Sequence, residues 1–316
     1  MRKRWIDELR GFCMIAILWF HTEVYYAGTD LTPYAFYVGD VLAVFFFLSG
    51  YLFYRDQTFS LRRKVRSILR WLVVPYLFFT LLMAVPKAWV HGDPLSPIAL
   101  LTPIVTGQAS WFVSMLIVSE LFFSVLIHIT KGRLWLMAGI ALTMLIIASP
   151  LSSTLAAPSV QLFNLSTFLL FVGYFYHRYE ESISVVFARP FIIILLFVLL
   201  IGVKAVIVTQ HWQMLFCPLQ TDCFPVFVFD LLLASLLLVS LFKCYRFPIF
   251  RWTGRHTLVY YFLCGGVPLL VSKGLTAIGI CYSGFLSLLL AFVLVFAIAT
   301  ALVWLTYRYT NVVKRR

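Results

Sequence analysis

Charge is what this sequence has least of. Only 12% of its 316 residues are Asp, Glu, Lys or Arg, whereas 62% are hydrophobic. A water-filled surround would leave much of that apolar surface exposed, so a soluble globular enzyme is excluded and the solvent must be lipid. Low-complexity linkers, a polar stretch of domain length and an evident internal repeat are all missing, which leaves one membrane-embedded domain over residues 1–316. No Cys and His fall at metal-ligand spacing, so no metal centre is expected. The basic start Met1-Arg2-Lys3-Arg4 resembles a signal peptide, but Asp7, Glu8 and Arg10 interrupt it and no small-residue cleavage site follows. The first apolar segment is therefore expected to be retained. Matched halves with Gly- or Pro-broken helices, which would mark a transporter, are not visible. A transporter or flippase for a glycan or small solute is nonetheless the rival class.

What is present is a series of apolar runs, each long enough for a hydrocarbon core about 30 Å thick. They predict an all-α, polytopic helix bundle with about ten spans, at about 9–27, 35–54, 71–90, 111–130, 134–149, 162–177, 190–209, 226–243, 257–274 and 282–307. The net charge of +13 is confined to alternate loops. Arg2, Lys3 and Arg4 precede the first run; Arg55, Arg62, Arg63, Lys64, Arg66 and Arg70 fill the next such segment. Lys131 and Arg133, Arg178 and Arg189, Lys243 to Arg255, and Lys314-Arg315-Arg316 follow. The intervening loops at 28–34, 91–110, 150–161, 210–225 and 275–281 hold no Lys or Arg. The positive-inside rule puts these loops outside and both termini in the cytoplasm, as expected of an inner-membrane protein. The basic excess is thereby a topology signal, and nucleic acid is not an expected partner. Cys217 and Cys223 share an outer loop and stand open as either a disulfide or two thiols.

Ionisable residues inside a bilayer are costly, by at least ~2.5–3.5 kcal/mol on insertion scales, and so each is a candidate for function. Asp7, Arg10, Met14, Leu18 and His21 recur at three- and four-residue spacing, so Arg10 and His21 share a helix face. Eleven residues separate these two by roughly 16 Å, which carries the imidazole to mid-membrane. His21 is read as a proton-exchanging group, with a helix-packing hydrogen bond as the alternative. Asp7 and Arg10 are read as part of the same site, or as a headgroup-level ion pair. Glu120, in mid-helix, is expected to hold a histidine, bind sugar hydroxyls or stay protonated. Glu23 is expected to face outer water, Asp40 is a further polar candidate, and Asp230 is divided between site and solvation. Lys87, Lys204 and Lys273 are expected to snorkel to an interface. The dense segment from Arg62 to Arg70 is either a lipid anchor or a polyphosphate clamp.

Arg4-Trp5-Ile6-Asp7-Glu8-Leu9-Arg10-Gly11, with His21 eleven residues after the arginine, resembles the opening of the acyltransferase family 3 membrane proteins. These O-acylate carbohydrates and related acceptors. Val44-Phe45-Phe46-Phe47-Leu48-Ser49-Gly50-Tyr51-Leu52 resembles the family's second-helix signature, and the basic stretch into Pro75-Tyr76 its basic loop. Ser110-Trp111-Phe112 through Glu120 is similar to the branch that includes fucose acetylases, and Gly254-Arg255-His256-Thr257 to a C-terminal family segment. Cys264 stands where many members have His or Gln, so no C-terminal catalytic residue is carried over. The resemblance implies transfer of an acyl group, usually acetyl from acetyl-CoA, to a sugar hydroxyl of a surface polysaccharide or lipid-linked glycan. His21 would be the general base, with Asp7, Arg10 and Glu120 as catalytic partners. The CoA phosphates would sit on Arg62, Arg63, Arg66 and Arg70, with Arg178, Arg251 and Arg255 next in line. The pantetheine arm would thread toward His21. Trp111, Glu23 and Asp40 would line the acceptor or donor, Trp111 having an aromatic-belt role as its alternative.

Overall fold

A computed structural model describes residues 3–54, 59–91, 94–149 and 157–314. Arg2, Arg55, Arg315, Arg316 and the Lys87 side chain, all part of the charge pattern above, lie outside the described residues. The helices are α1 (Arg4–Thr22), α2 (Val38–Phe53), α3 (Leu61–Ile68), α4 (Val74–His91), α5 (Pro97–Val105), α6 (Trp111–Thr130), α7 (Leu134–Ala148) and α8 (Pro158–Arg178). They continue as α9 (Glu180–Phe187), α10 (Pro190–Thr209), α11 (Phe224–Cys244), α12 (Pro248–Arg255), α13 (Thr257–Leu263), α14 (Gly266–Ala277) and α15 (Phe285–Lys314). One two-stranded antiparallel hairpin, β1 (Met214–Leu215) and β2 (Gln220–Thr221), pairs Met214 with Thr221. The protein is an all-α polytopic membrane bundle.

Every apolar run read from the sequence is helical. Among the described residues six helical segments are long and apolar enough to cross a membrane, or seven if α13 and α14, bent by 45° at their junction, count as one span. The other three of the expected ten fall short of that length and composition for identifiable reasons. Arg4, Asp7, Glu8 and Arg10 load α1 with charge, and α2 and α7 are only 16 and 15 residues long. The spans leave large apolar side chains such as Ile194, Phe197 and Val198 of α10 on the surface, where lipid tails replace water as the contacting medium.

The chain divides into two compact units. The first comprises Met1–Leu42, Ala188–Gln210 and Asp230–Arg316. Its centre is the crossing of α1 with α12. Gly11 and Gly254 face each other there: a Cβ on Gly11 would overlap the carbonyl of Phe250, and one on Gly254 the carbonyl of Asp7. Small residues let two helix backbones approach closely, which is how helices associate where lipid removes the hydrophobic drive between them. The second unit comprises Ala43–Phe187 and His211–Phe229. It packs α8 against α6 and α7, and α3 against α6. Gly50 and Gly173 make a similar close crossing of α2 and α8, against the backbone of Leu170 and Phe47.

Lys204 corrects one expectation outright. It does not snorkel: only 7% exposed, its ammonium reaches Asp230 Oδ2 at 2.6 Å, Asp40 Oδ2 at 2.8 Å and the Ala35 carbonyl at 2.6 Å. An ammonium has three hydrogens, and three acceptors meet it. Asp230 is likewise buried and paired, not solvated. Two carboxylates held around one cation tie α2 and α11 to α10 at the first unit's expense of desolvation. Replacement by Lys204→Met is expected to destabilise the protein by about 3–5 kcal/mol, because it leaves two buried carboxylates unpaired. Adding Asp40→Asn and Asp230→Asn should recover most of the loss. Thermal unfolding of the purified protein in detergent checks this, and an unchanged midpoint in Lys204→Met would refute it.

Candidate active site

Helix α1 starts with its acids in the first turns, where the positive end of the helix dipole favours them. Both are buried, and both are answered from α12 and the turn before it. Glu8 accepts from Arg251 Nη2 at 2.5 Å, Arg251 Nε at 3.1 Å and the Phe247 backbone N–H at 2.9 Å. Asp7 meets Arg255 at 3.6 Å. Asp7 is therefore brought to Arg255, and it lies some 21 Å of helix from His21. Arg251 and Arg255 are committed to these acids. Arg10, half-buried, follows one turn later on the face that leads to His21.

His21 is half-buried near the end of α1. Its ring lies nearly parallel to Tyr25 (centroids 6.1 Å apart, 17°) and edge-on to Phe20 (5.6 Å). Among the described residues the imidazole makes no hydrogen bond, so it is not the glue between helices that a packing role requires. The chain beyond it is fixed firmly. Thr22 bonds back to the Leu18 carbonyl at 2.8 Å, and residues 23–27 form a π-helical turn, a rare feature found often at functional sites. Ser272 of α14 donates to the Tyr25 carbonyl at 2.7 Å. The result is a titratable ring with free nitrogens on a pinned backbone.

Glu23 departs from expectation. It is 1% exposed rather than facing water, because three donors surround it: Trp19 Nε1 at 2.8 Å, Thr32 Oγ1 at 2.9 Å and Tyr37 OH at 3.4 Å. Asp40 is held in the Lys204 cluster. In the second unit, Glu120 is 7% exposed, paired with Lys64 of α3 at 2.9 Å and hydrogen-bonded by Ser49 of α2. Lys64 also sits 3.7 Å over the Phe53 ring. Glu120 thus takes its cation from the basic segment, and the structure does not bring a histidine to it. Trp111 begins α6, half-buried, with its ring edge-on to Phe112 at 5.8 Å.

The second unit also contains a cavity of about 820 Å³. It is lined by Arg63 and Lys64 of α3, by His128 and Tyr174, and by Lys131 and Arg178 at the ends of α6 and α8. Arg63 is the one member of the expected clamp among the lining residues. Arg62, Arg66 and Arg70 are exposed on α3 and its continuation, Arg70 lying 5.4 Å over Trp71, and they do not line the cavity. Lys131 and His128 were missed by the sequence reading. The alternation of charge did put Lys131 on the same side as Arg63, and that was the only signal available. Among the described residues no carboxylate lines the cavity, which suits a ligand that brings several negative charges. A pocket of this size encloses a typical small-molecule ligand.

Among the described residues no group of His, Cys, Asp and Glu is arranged to hold a metal ion. Cys217 and Cys223 are separate thiols, and Cys264 is buried at the break between α13 and α14. No curated protein and no solved structure matches the chain. The family model Acyl_transf_3, described as an acyltransferase domain, matches residues 3–308. The match spans both units and nearly the full chain, and it agrees with the apolar helices in making this an integral membrane enzyme. A half-buried, unbonded histidine on a pinned helix and a cation-lined cavity thus stand in a chain that belongs to the acyltransferase 3 family.

Proposed function

We propose that this acyltransferase moves an acetyl group from cytoplasmic acetyl-CoA to a hydroxyl of a surface polysaccharide or lipid-linked glycan. The observation that carries the donor half is the cation-lined cavity: Arg63, Lys131 and Arg178 on its walls match the phosphates of CoA. These residues belong to the Lys- and Arg-rich segments, which by the positive-inside rule supports a cytoplasmic side for the cavity and for both termini in an inner membrane. His21 serves as general base. It takes the acceptor hydroxyl proton as that oxygen attacks the thioester carbonyl; the carbon–sulfur bond breaks, and the proton passes to the departing thiolate. Membership in an acyltransferase family weighs against a transporter or flippase.

Asp7 and Glu8 act at a distance in this scheme, by clamping α12 to the base of the helix that carries Arg10 and His21. Glu120 holds Lys64 and Ser49, and so shapes one cavity wall. Anionic membrane lipid is the natural partner of the remaining exposed arginines, Arg62, Arg66 and Arg70.

Two substitutions separate these roles. His21→Ala is expected to lower kcat at least 100-fold with insertion and folding intact, since general-base catalysis contributes typically ~10²–10⁴-fold. More than about a tenth of wild-type turnover in a well-folded His21→Ala protein contradicts the base. Arg63→Gln is expected to raise the KM for acetyl-CoA by roughly 10- to 100-fold, the effect of one charge-assisted contact worth ~1.5–3 kcal/mol, and to leave the acceptor KM unchanged. Arg66→Gln, outside the cavity, should do neither. Steady-state kinetics in neutral-lipid nanodiscs make the comparison, and equal effects of the two arginines would return the segment to a lipid anchor.

A further inference from the structure

We propose that Lys131 and Arg178 bind the 3′-phosphate of the CoA adenosine, and that the cavity thereby selects CoA thioesters over thioesters carried on phosphopantetheine alone. This rests on the acyl-CoA reading above and adds a division of labour within the same cavity. The first support is charge. Lys64 on the α3 side is neutralised by Glu120 at 2.9 Å, so Arg63 is the uncompensated cation of that wall. At the ends of α6 and α8, the Lys131 ammonium makes no hydrogen bond or ion pair among the described residues. Arg178 donates to the Gly132 carbonyl at 3.1 Å and to the Tyr174 hydroxyl, and its five N–H groups leave donors for a ligand. His128 stands beside them.

The uncompensated cations therefore fall into two groups, one on α3 and one on the α6 and α8 ends. A phosphopantetheine arm carries a single phosphate and needs one such group. CoA carries a diphosphate and a separate 3′-phosphate, and needs two. The second support is the position of Lys131. It takes a left-handed backbone conformation, φ 52°, followed by Gly132 at φ 68°, a conformation that few non-glycine residues adopt. Arg178 fastens that turn through the Gly132 carbonyl, so the two cations are held relative to each other. The third is aromatic. Tyr54 and Tyr174 line the cavity with rings 5.5 Å apart at 82°, and Tyr174 adjoins Arg178 in sequence by one helical turn. Tyr174 is buried against Tyr54 and Phe123, so half-buried Tyr54 is the aromatic side chain of this wall open to a purine base.

The test is binding of CoA, 3′-dephospho-CoA and 4′-phosphopantetheine to the full-length protein in neutral-lipid nanodiscs, by calorimetry. Wild type should bind CoA at least about tenfold tighter than 3′-dephospho-CoA, as loss of a charge-assisted phosphate contact requires. The double variant Lys131→Gln/Arg178→Gln should lose that preference while holding 3′-dephospho-CoA as wild type does. Arg63→Gln should weaken both ligands by the same factor. Lys131→Arg/Arg178→Lys, which keeps both charges, should restore part of the preference and guards against a fold defect. Equal wild-type affinity for the two nucleotides, or a preference that survives in the double variant, overturns the assignment with the acyl-CoA reading left standing. Absence of any CoA binding to wild type would instead defeat that reading. Should the cavity serve lipid headgroups, CoA binding would show no 3′-phosphate preference and would vanish when anionic phospholipid is added, which also overturns the assignment.

Discussion

A charge buried in an apolar bundle has to be met there by a counter-charge or by hydrogen-bond donors, and this constraint decides where the buried ionisable side chains Asp7, Glu8, Glu23, Asp40, Glu120, Lys204 and Asp230 sit. Lys204 collects Asp40, Asp230 and a backbone carbonyl; Glu8 collects Arg251 and a backbone N–H; Glu120 collects Lys64 and Ser49. Each pair costs desolvation and is retained because breaking it costs more. The pairings also do architectural duty. In the first unit they bind α10, α11 and the start of α2, and they seat α12 on α1. That seating needs the backbones to meet, which the Gly11 and Gly254 positions permit.

Against this background, two sets of groups stand apart and support the proposed function. His21 is half-buried with no hydrogen bond among the described residues, and the cavity cations Arg63, Lys131 and Arg178 face a lining without a carboxylate. Where the buried charges are paired, a base without a hydrogen bond and cations without a carboxylate among the described residues are the groups the proposal assigns to a reactant. A neutral imidazole can accept a hydroxyl proton, and a guanidinium and an ammonium can accept phosphate charge. The pinned π-helical turn after His21 and the fastened turn at Lys131 supply the fixed geometry that both tasks require.

Much of this was legible in the sequence, and the failures share one cause. Periodicity and hydropathy located the long apolar helices, because the 20-residue apolar run is a local property, but not the short helices α3, α5, α9 and α12. The Arg10 to His21 spacing likewise needs only helical geometry. What escaped were pairings between residues distant along the chain. Glu23 was read as water-facing because its donors Thr32 and Tyr37 lie beyond a turn, and Lys204 as snorkelling because Asp40 lies far upstream. The density of the basic segment is visible in the sequence and leaves clamp and lipid anchor open, whereas the residues of α3 that line a cavity are not visible. Arg178 stands among the further candidates for phosphate, and Lys131 reads as a topology charge alone. Helix ends and short helices explain the difference between ten expected spans and the six or seven long enough to cross.

The central claim is that the protein forms an O-ester on a glycan at the cost of a CoA thioester. It is tested most directly by incubating purified protein in nanodiscs with acetyl-CoA labelled in the acetyl group and with cell-envelope glycan extract, then locating the label. The account predicts label on carbohydrate in an alkali-labile ester, with one free CoA thiol released per ester formed. Thiol release without labelled carbohydrate, or label that resists mild alkali, would contradict it.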